Sequence, residues 1–325
     1  MLRKILVTLW ICLYCLCAHA LPFNQIVFFG DSLTDNGNLH RLMGIPHSPP
    51  YYQGRFSNGP TWADLVGTYY HDRFLTDYTV KAYGGATALP RRIVHKKFIA
   101  PVILQDELNA YYENPKFKEI SKILHVFWIG SNDYLYDTKT DIDQLSSDVV
   151  NHIISTIDKL ISKKAQYFLI LNVPDLSRTP LVRNAGLGNR ENEIARLSNL
   201  KLNISLNQIQ HDHPAVKITL LDTFEILEDL VADPEKYNQK YNAHIVNTTE
   251  PCWTGLFAFN TIRDDISNSA AIAEAYKVDQ AEKAGVVPCD KPDEYIFWDE
   301  LHPTAIIHKI LAEIVEQKIN DEYPV

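Results

Sequence analysis

The chain has 325 residues, with 31 basic against 40 acidic side chains and a net charge of −9. Such an acid excess gives no electrostatic footing on nucleic acid, which is excluded as a partner. It also gives no long-range attraction to an anionic membrane, so any contact with a membrane surface is expected to be transient and to come from local apolar side chains.

The first twenty residues read as a cleaved signal peptide. Arg3 and Lys4 supply a short basic start, Ile5 to Leu16 is apolar, and Ala18-His19-Ala20 offers small residues for cleavage. The apolar run falls short of the roughly 20 residues that a membrane span needs. A secreted chain beginning near Leu21 is the expectation, in the periplasm or outside the cell.

Beyond the leader, short β-branched and aromatic runs alternate with longer amphipathic stretches. The strands expected are Ile26–Phe29, Tyr78–Ala82, Leu124–Ile129, Tyr167–Leu171 and Lys217–Leu221. They are continuously apolar, as parallel strands covered on both faces are. Helical patterns cover Thr61–Tyr70, Val102–Tyr112, Asp141–Ser162, Glu191–His211 and Phe224–Ala232. A last helix is expected from Pro303 to about Ile319, with the proline in its first turn. The order predicts an α/β fold, a three-layer αβα sandwich around a mostly parallel five-stranded sheet, as one domain over residues 21–325.

One stretch, at about 234–292, breaks the alternation. It is partly polar and holds Cys252 and Cys289, the two cysteines left once the leader is gone. Outside the cytoplasm a disulfide between them is the natural reading, and two buried thiols the other. Closing that loop is worth roughly 4 kcal/mol in chain entropy. Helical pieces are expected near Ile262–Ser267 and Ser269–Ala284. The stretch reads either as a stapled insertion over one edge of the sheet or as a packing subdomain.

Chemistry gathers at the predicted strand ends. Gly30-Asp31-Ser32-Leu33 follows the first strand, on the edge where open parallel sheets bind ligands. Far along the chain stands Asp299-Glu300-Leu301-His302-Pro303. An aspartate and a histidine three residues apart share one tight turn, so the carboxylate can fix the imidazole tautomer and leave its other nitrogen for a serine hydroxyl. Gly84-Gly85-Ala86-Thr87 follows the second strand and Gly130-Ser131-Asn132-Asp133 the third. Gly85 can offer a backbone N–H and Asn132 a side-chain amide to a developing oxyanion. His71, His95, His125, His152 and His244 are scattered and form no metal spacing.

These blocks, in this order, resemble those of the GDSL, or SGNH, hydrolases, a family with a flavodoxin-like sandwich. The resemblance spans Ile26 to Ile319 and implies Ser32 as nucleophile, His302 as base and Asp299 as its orienting acid. It further implies an oxyanion hole made by Ser32, Gly85 and Asn132. Ser48-Pro49-Pro50-Tyr51-Tyr52-Gln53-Gly54-Arg55-Phe56-Ser57-Asn58-Gly59-Pro60, Asn172-Val173-Pro174-Asp175-Leu176 and Phe297-Trp298-Asp299 look like the bacterial secreted phospholipases of that family. This narrower likeness implies a phospholipid or lysophospholipid substrate, with acyl transfer to a sterol as the alternative and a non-lipid carboxylesterase as another. No metal or organic cofactor is called for. Tyr51, Tyr52, Phe56, Trp62, Trp253, Phe257 and Phe259 read either as lining for an acyl slot or, as such residues more often do, as simple packing. A binding protein on an inactive hydrolase fold is the rival of another class, disfavoured by the complete set of side chains.

Overall fold

The computed structural model describes residues 21–90, 93–95, 98–100, 102–113, 119–137, 140–254 and 287–324, with backbone alone for the two three-residue pieces. The expected leader and the helical pieces near 262–267 and 269–284 lie outside the described residues.

From the start the elements are β1 (Gln25–Gly30), α1 (Asn38–Met43), α2 (Trp62–Phe74), β2 (Asp77–Val80), and an antiparallel hairpin of β3 (Ile93–His95) and β4 (Phe98–Ala100). Next come α3 (Leu104–Tyr112), β5 (Ile123–Trp128), α4 (Ser131–Tyr136), α5 (Ile142–Ser162), β6 (Tyr167–Leu171) and α6 (Pro180–Asn184). The remainder is α7 (Gly188–Asp212), β7 (Lys217–Leu221), α8 (Thr223–Ala232), α9 (Pro234–Tyr241), β8 (Asn247–Pro251), β9 (Tyr295–Phe297) and α10 (Ala305–Glu322).

Five strands form one sheet in the order β2-β1-β5-β6-β7, every neighbouring pair parallel. All six residues of β1 and all six of β5 are buried, because helices cover both faces. The side-chain period of two splits each strand between two cores. Val27 and Phe29 join Leu108 of α3, Val149 of α5 and Ile194 of α7. Ile26 and Phe28 join Trp62 of α2 and Val315 of α10. The expected three-layer sandwich is the result.

Local signals start the helices where the hydrophobic pattern does. The Asp141 side chain accepts from the Asp143 and Gln144 N–H groups ahead of α5, and Asp222 accepts from Glu225 N–H ahead of α8. Two expectations need correction. Pro303 is not in the first turn of the last helix: it precedes the cap residue Thr304, and the helix begins at Ala305. The carbonyl of Pro303 is taken instead by the Ser57 hydroxyl at 2.9 Å. The stretch from Pro234 also starts as regular structure, since α9 is followed by β8, which pairs parallel with the three-residue β9. Cys252 and Cys289 are joined in a disulfide.

Candidate active site

The sheet order reverses at β1, whose two neighbours β2 and β5 are reached from it in opposite directions, and crevices open at the carboxyl ends of such strands. Gly30 closes β1 against β5. A Cβ there would stand 2.3 Å from the Trp128 carbonyl oxygen, so only glycine permits this approach. The chain then turns sharply, with the N–H groups of Thr34 and Asp35 donating to the Asp31 carbonyl at 3.0 and 2.9 Å. Ser32 is held on that turn, buried but facing a cavity.

The partner side chains arrive from the turn after β9. His302 Nε2 lies 2.8 Å from Ser32 Oγ, and its Nδ1 lies 2.8 and 3.0 Å from the two oxygens of Asp299. A carboxylate can only accept, so the geometry assigns the proton to Nδ1 and leaves Nε2 to receive the serine proton. Asp299 Oδ1 also accepts from the N–H groups of Leu301 and His302, at 2.8 and 2.6 Å. Its Oδ2 accepts from the Tyr51 hydroxyl at 2.6 Å, a contact across 248 positions that no sequence signal announced.

The other two expected blocks meet beside the serine. Asn132 opens α4, and its side-chain amide donates to the Ala86 carbonyl at 2.9 Å, directly after Gly85. Gly85 has a φ of +76°, in a turn closed by Ala86 N–H donating to the Tyr83 carbonyl at 3.1 Å. A side chain at that position would be strained. Two carboxylates lock this loop in place. Asp133 accepts from the Ala88 and Leu89 N–H groups at 2.8 and 3.0 Å. Asp35 Oδ2 accepts from Gly84 N–H at 2.8 Å, while its Oδ1 accepts from Gly37 N–H, also at 2.8 Å. Asn38 donates to the Val80 and Ala82 carbonyls at 3.1 and 2.8 Å.

Burial sets the charge states of the surrounding acids. Loss of solvent pushes Asp31 up to about 7, against the Leu33 N–H and the charge of His302. It pushes Asp35 up to about 6 despite four amide donors. Glu107, under the nucleophile turn with Gly30 N–H donating to it at 2.9 Å, is raised well above the ordinary carboxyl range by the same desolvation. Asp299 goes the other way. Burial works to raise it, but the His302 charge and the hydrogen bonds of His302 and Tyr51 hold it below the usual carboxylate value. His308, on the first turns of α10, is lowered to about 3 by burial and by His302. His125 is a satisfied core histidine, 2.6 Å from the Tyr112 hydroxyl and lowered to about 4 by burial. His71, His152 and His244 are exposed.

Ser32, Asn132 and His302 line one cavity of about 90 Å³. Its walls are mainly aliphatic, with Ile226, Leu227 and Leu230 from α8, Ile296 beside β9's Phe297, and Ile307, Ile310 and Leu311 from α10, and with Trp128, Thr179 and Thr223 among them. Of the two readings for the aromatics noted in the sequence, packing is the one that holds among the described residues. Tyr51, Trp253 and Trp298 pack with one another around the disulfide, Phe56 lies against the His302 ring, and Trp62 belongs to the core under β1. Those rings are buried and do not line the cavity. Phe257 and Phe259 fall outside the described residues.

This arrangement can deprotonate a hydroxyl against an ester carbonyl held at the mouth of an apolar pocket. A family model of GDSL-like lipases/acylhydrolases matches residues 26–315. The chain belongs to this family. It is 27% identical to a phosphatidylcholine-sterol acyltransferase of Aeromonas hydrophila, over 93% of this chain and 91% of that protein. It is 23% identical to a thermolabile hemolysin of Vibrio parahaemolyticus, over 92% of this chain but 64% of that longer protein. Among solved structures it aligns with a GDSL-like lipase of Bacteroides thetaiotaomicron at 14% identity and a TM-score of 0.37, covering 94% of each chain.

Proposed function

We propose that this protein is an exported serine hydrolase that cleaves acyl esters of phospholipids or lysophospholipids through an acyl-Ser32 intermediate. The observation that carries the reading is the 2.8 Å contact of His302 Nε2 with Ser32 Oγ at the opening of a cavity walled by aliphatic side chains.

In the first step His302 Nε2 takes the Ser32 proton as Oγ bonds to the ester carbonyl carbon. The carbonyl oxygen becomes an oxyanion, received by backbone N–H groups of Ser32 and Gly85 and by the Asn132 amide, of whose two N–H bonds one is already given to Ala86. The bond to the alcohol oxygen then breaks, and the imidazolium returns its proton to that leaving group. Water repeats the sequence on the acyl-serine, again with His302 as base. Asp299 stays ionised throughout and steadies the imidazolium.

The walls support a lipid substrate. A sugar needs convergent polar groups along its length, whereas a hydrocarbon chain needs their absence. Leu227, Leu230 and Ile310 suit an acyl tail and offer a carbohydrate nothing to bond. Export is supported by the disulfide, which persists in oxidising compartments, together with the leader-like run at residues 1–20. A second reading, transfer of the acyl group to a sterol, is favoured by the name of the Aeromonas relative and differs only in which hydroxyl meets the acyl-serine.

The test is Ser32→Ala, assayed on lysophosphatidylcholine and on a p-nitrophenyl ester. Turnover is expected to fall to background on both, and undiminished turnover would remove Ser32 from the role. Thin-layer separation of products from phosphatidylcholine vesicles, with and without cholesterol, separates the two readings. Free fatty acid in both samples supports hydrolysis, and cholesteryl ester in the sterol-containing sample supports transfer.

A further inference from the structure

The segment Ser48–Pro60 carries part of the narrower family resemblance in the sequence, and the reaction described above makes no use of it. It nevertheless touches the His302 turn at four points. The Tyr51 hydroxyl donates to Asp299 Oδ2 at 2.6 Å. The Phe56 ring lies 4.9 Å from the imidazole, centroid to centroid. The Ser57 hydroxyl donates to the Pro303 carbonyl at 2.9 Å, and the Asn58 side chain accepts from Ala305 N–H at 2.7 Å. These contacts lie on both sides of His302 in sequence and hold the turn from end to end.

We infer that Tyr51 is a positioning residue for the acid–base pair, setting both the orientation and the proton affinity of His302 through its hydrogen bond to Asp299. The inference rests on the reading of Ser32, His302 and Asp299 given above. The Tyr51 ring is well suited to such a role. It is 2% exposed, its own carbonyl is tied by the Ser48 hydroxyl at 2.7 Å, and its edge meets the Trp253 ring at 5.4 Å. The hydroxyl is thus delivered by a rigid, packed ring, and its hydrogen bond to a buried carboxylate is charge-assisted.

The electrostatic consequence has a definite sign. A donor on Asp299 Oδ2 withdraws electron density from the carboxylate, so it weakens the pull of that carboxylate on the imidazolium proton. Removing the donor leaves a more basic carboxylate facing Nδ1, and the imidazolium becomes harder to deprotonate. Among the described residues, Asp31 from the nucleophile turn and His308 from α10 are titratable groups within electrostatic reach of His302. Tyr51→Phe leaves both in place.

Tyr51→Phe keeps the ring and deletes the hydroxyl, and Ser57→Ala loosens the same turn without touching Asp299. Both are assayed with a p-nitrophenyl ester across pH, beside Ser32→Ala, with thermal melting and fluorophosphonate labelling to count intact sites. For Tyr51→Phe, kcat is expected to fall about tenfold with KM changed less than about twofold. The acid limb of its kcat/KM profile should move to higher pH. Ser57→Ala should lower kcat by a smaller factor and leave the limb where it is. An unmoved acid limb in a labelled, folded Tyr51→Phe protein overturns the inference. If Tyr51→Phe does not fold, Tyr51→Met is read in the same way, and an unmoved acid limb in that labelled protein overturns it instead. Activity surviving in Ser32→Ala is a different failure, of the underlying reading.

Discussion

Two aspartates stand at the site, both wholly buried, and their protons behave in opposite ways. Asp31, on the turn leaving β1, is pushed up to about 7, while Asp299, on the turn leaving β9, is held below the ordinary carboxyl value. Burial acts upward on both. The difference is in partners. Asp31 receives the Leu33 N–H at 3.0 Å and its own backbone N–H, and has Asp133 for a neighbour. Asp299 receives two backbone N–H groups, the imidazole and the Tyr51 hydroxyl. The comparison teaches that a buried carboxyl keeps its charge where the imidazole bonds to it directly, since amide donors alone leave Asp35 raised to about 6. It also divides the site mechanically. The serine side is fixed by the central sheet and by close backbone approach at Gly30, whereas the acid–base side hangs on a three-residue strand and needs side chains to hold it.

The largest expected effect is on the ionised member. Asp299→Asn keeps the shape and removes the charge that orients the imidazole, so kcat should fall by about 10⁴. Measured by urea unfolding, that variant should also lose stability near neutral pH, and the deficit should shrink as pH falls. The sign follows from the lowered value: stability from Asp299 is present above its unfolded value of 3.8 and is lost as pH falls through the depressed folded one. Equal destabilisation at pH 3 and pH 7 would break the contrast with Asp31. Asn132→Ala comes next. Loss of one oxyanion donor should lower kcat ~100- to 1000-fold with little change in KM, read from steady-state kinetics. A drop confined to KM would assign Asn132 to holding the Ala86 loop and nothing more.

What could be foreseen from the sequence divides along the same line. β6 and β7 were expected to the residue, because Tyr167–Leu171 and Lys217–Leu221 are continuous apolar runs bounded by polar or turn-forming residues. Ser32, Asn132 and Gly85 stood out because each lies within a few residues of the end of such a strand. The pairing of Asp299 with His302 was legible too, being local. Tyr51 was seen only as an aromatic in a loop, since nothing in a tyrosine's neighbours reports a partner 248 positions away. Glu107 occupies a helix position that any solvated acid might fill, and its burial under Gly30 is a product of tertiary packing. The β8–β9 pair escaped because Asn247–Pro251 is largely polar and β9 is three residues long, too short for a periodic signal.

The smallest expected effect, and the sharpest check on the comparison, is at Asp31. Asn retains an oxygen for the Leu33 N–H and removes only the ability to ionise. For a carboxyl whose folded value lies near 7 against 3.8 unfolded, the folded state is the better proton binder. Its contribution is therefore complete below about pH 4 and is lost as pH rises through about 7. Asp31→Asn should melt with the parent near pH 4 and a few degrees, about 2–6 °C, above it at pH 8. That is the reverse of the pH dependence expected for Asp299→Asn. Because Asp31 is already protonated below about pH 7, the acid limb of kcat/KM should stay where it is, unlike that of Tyr51→Phe. Melting curves that coincide at pH 8 would mean that Asp31 ionises in the folded protein without penalty, and the two aspartates would no longer be opposites.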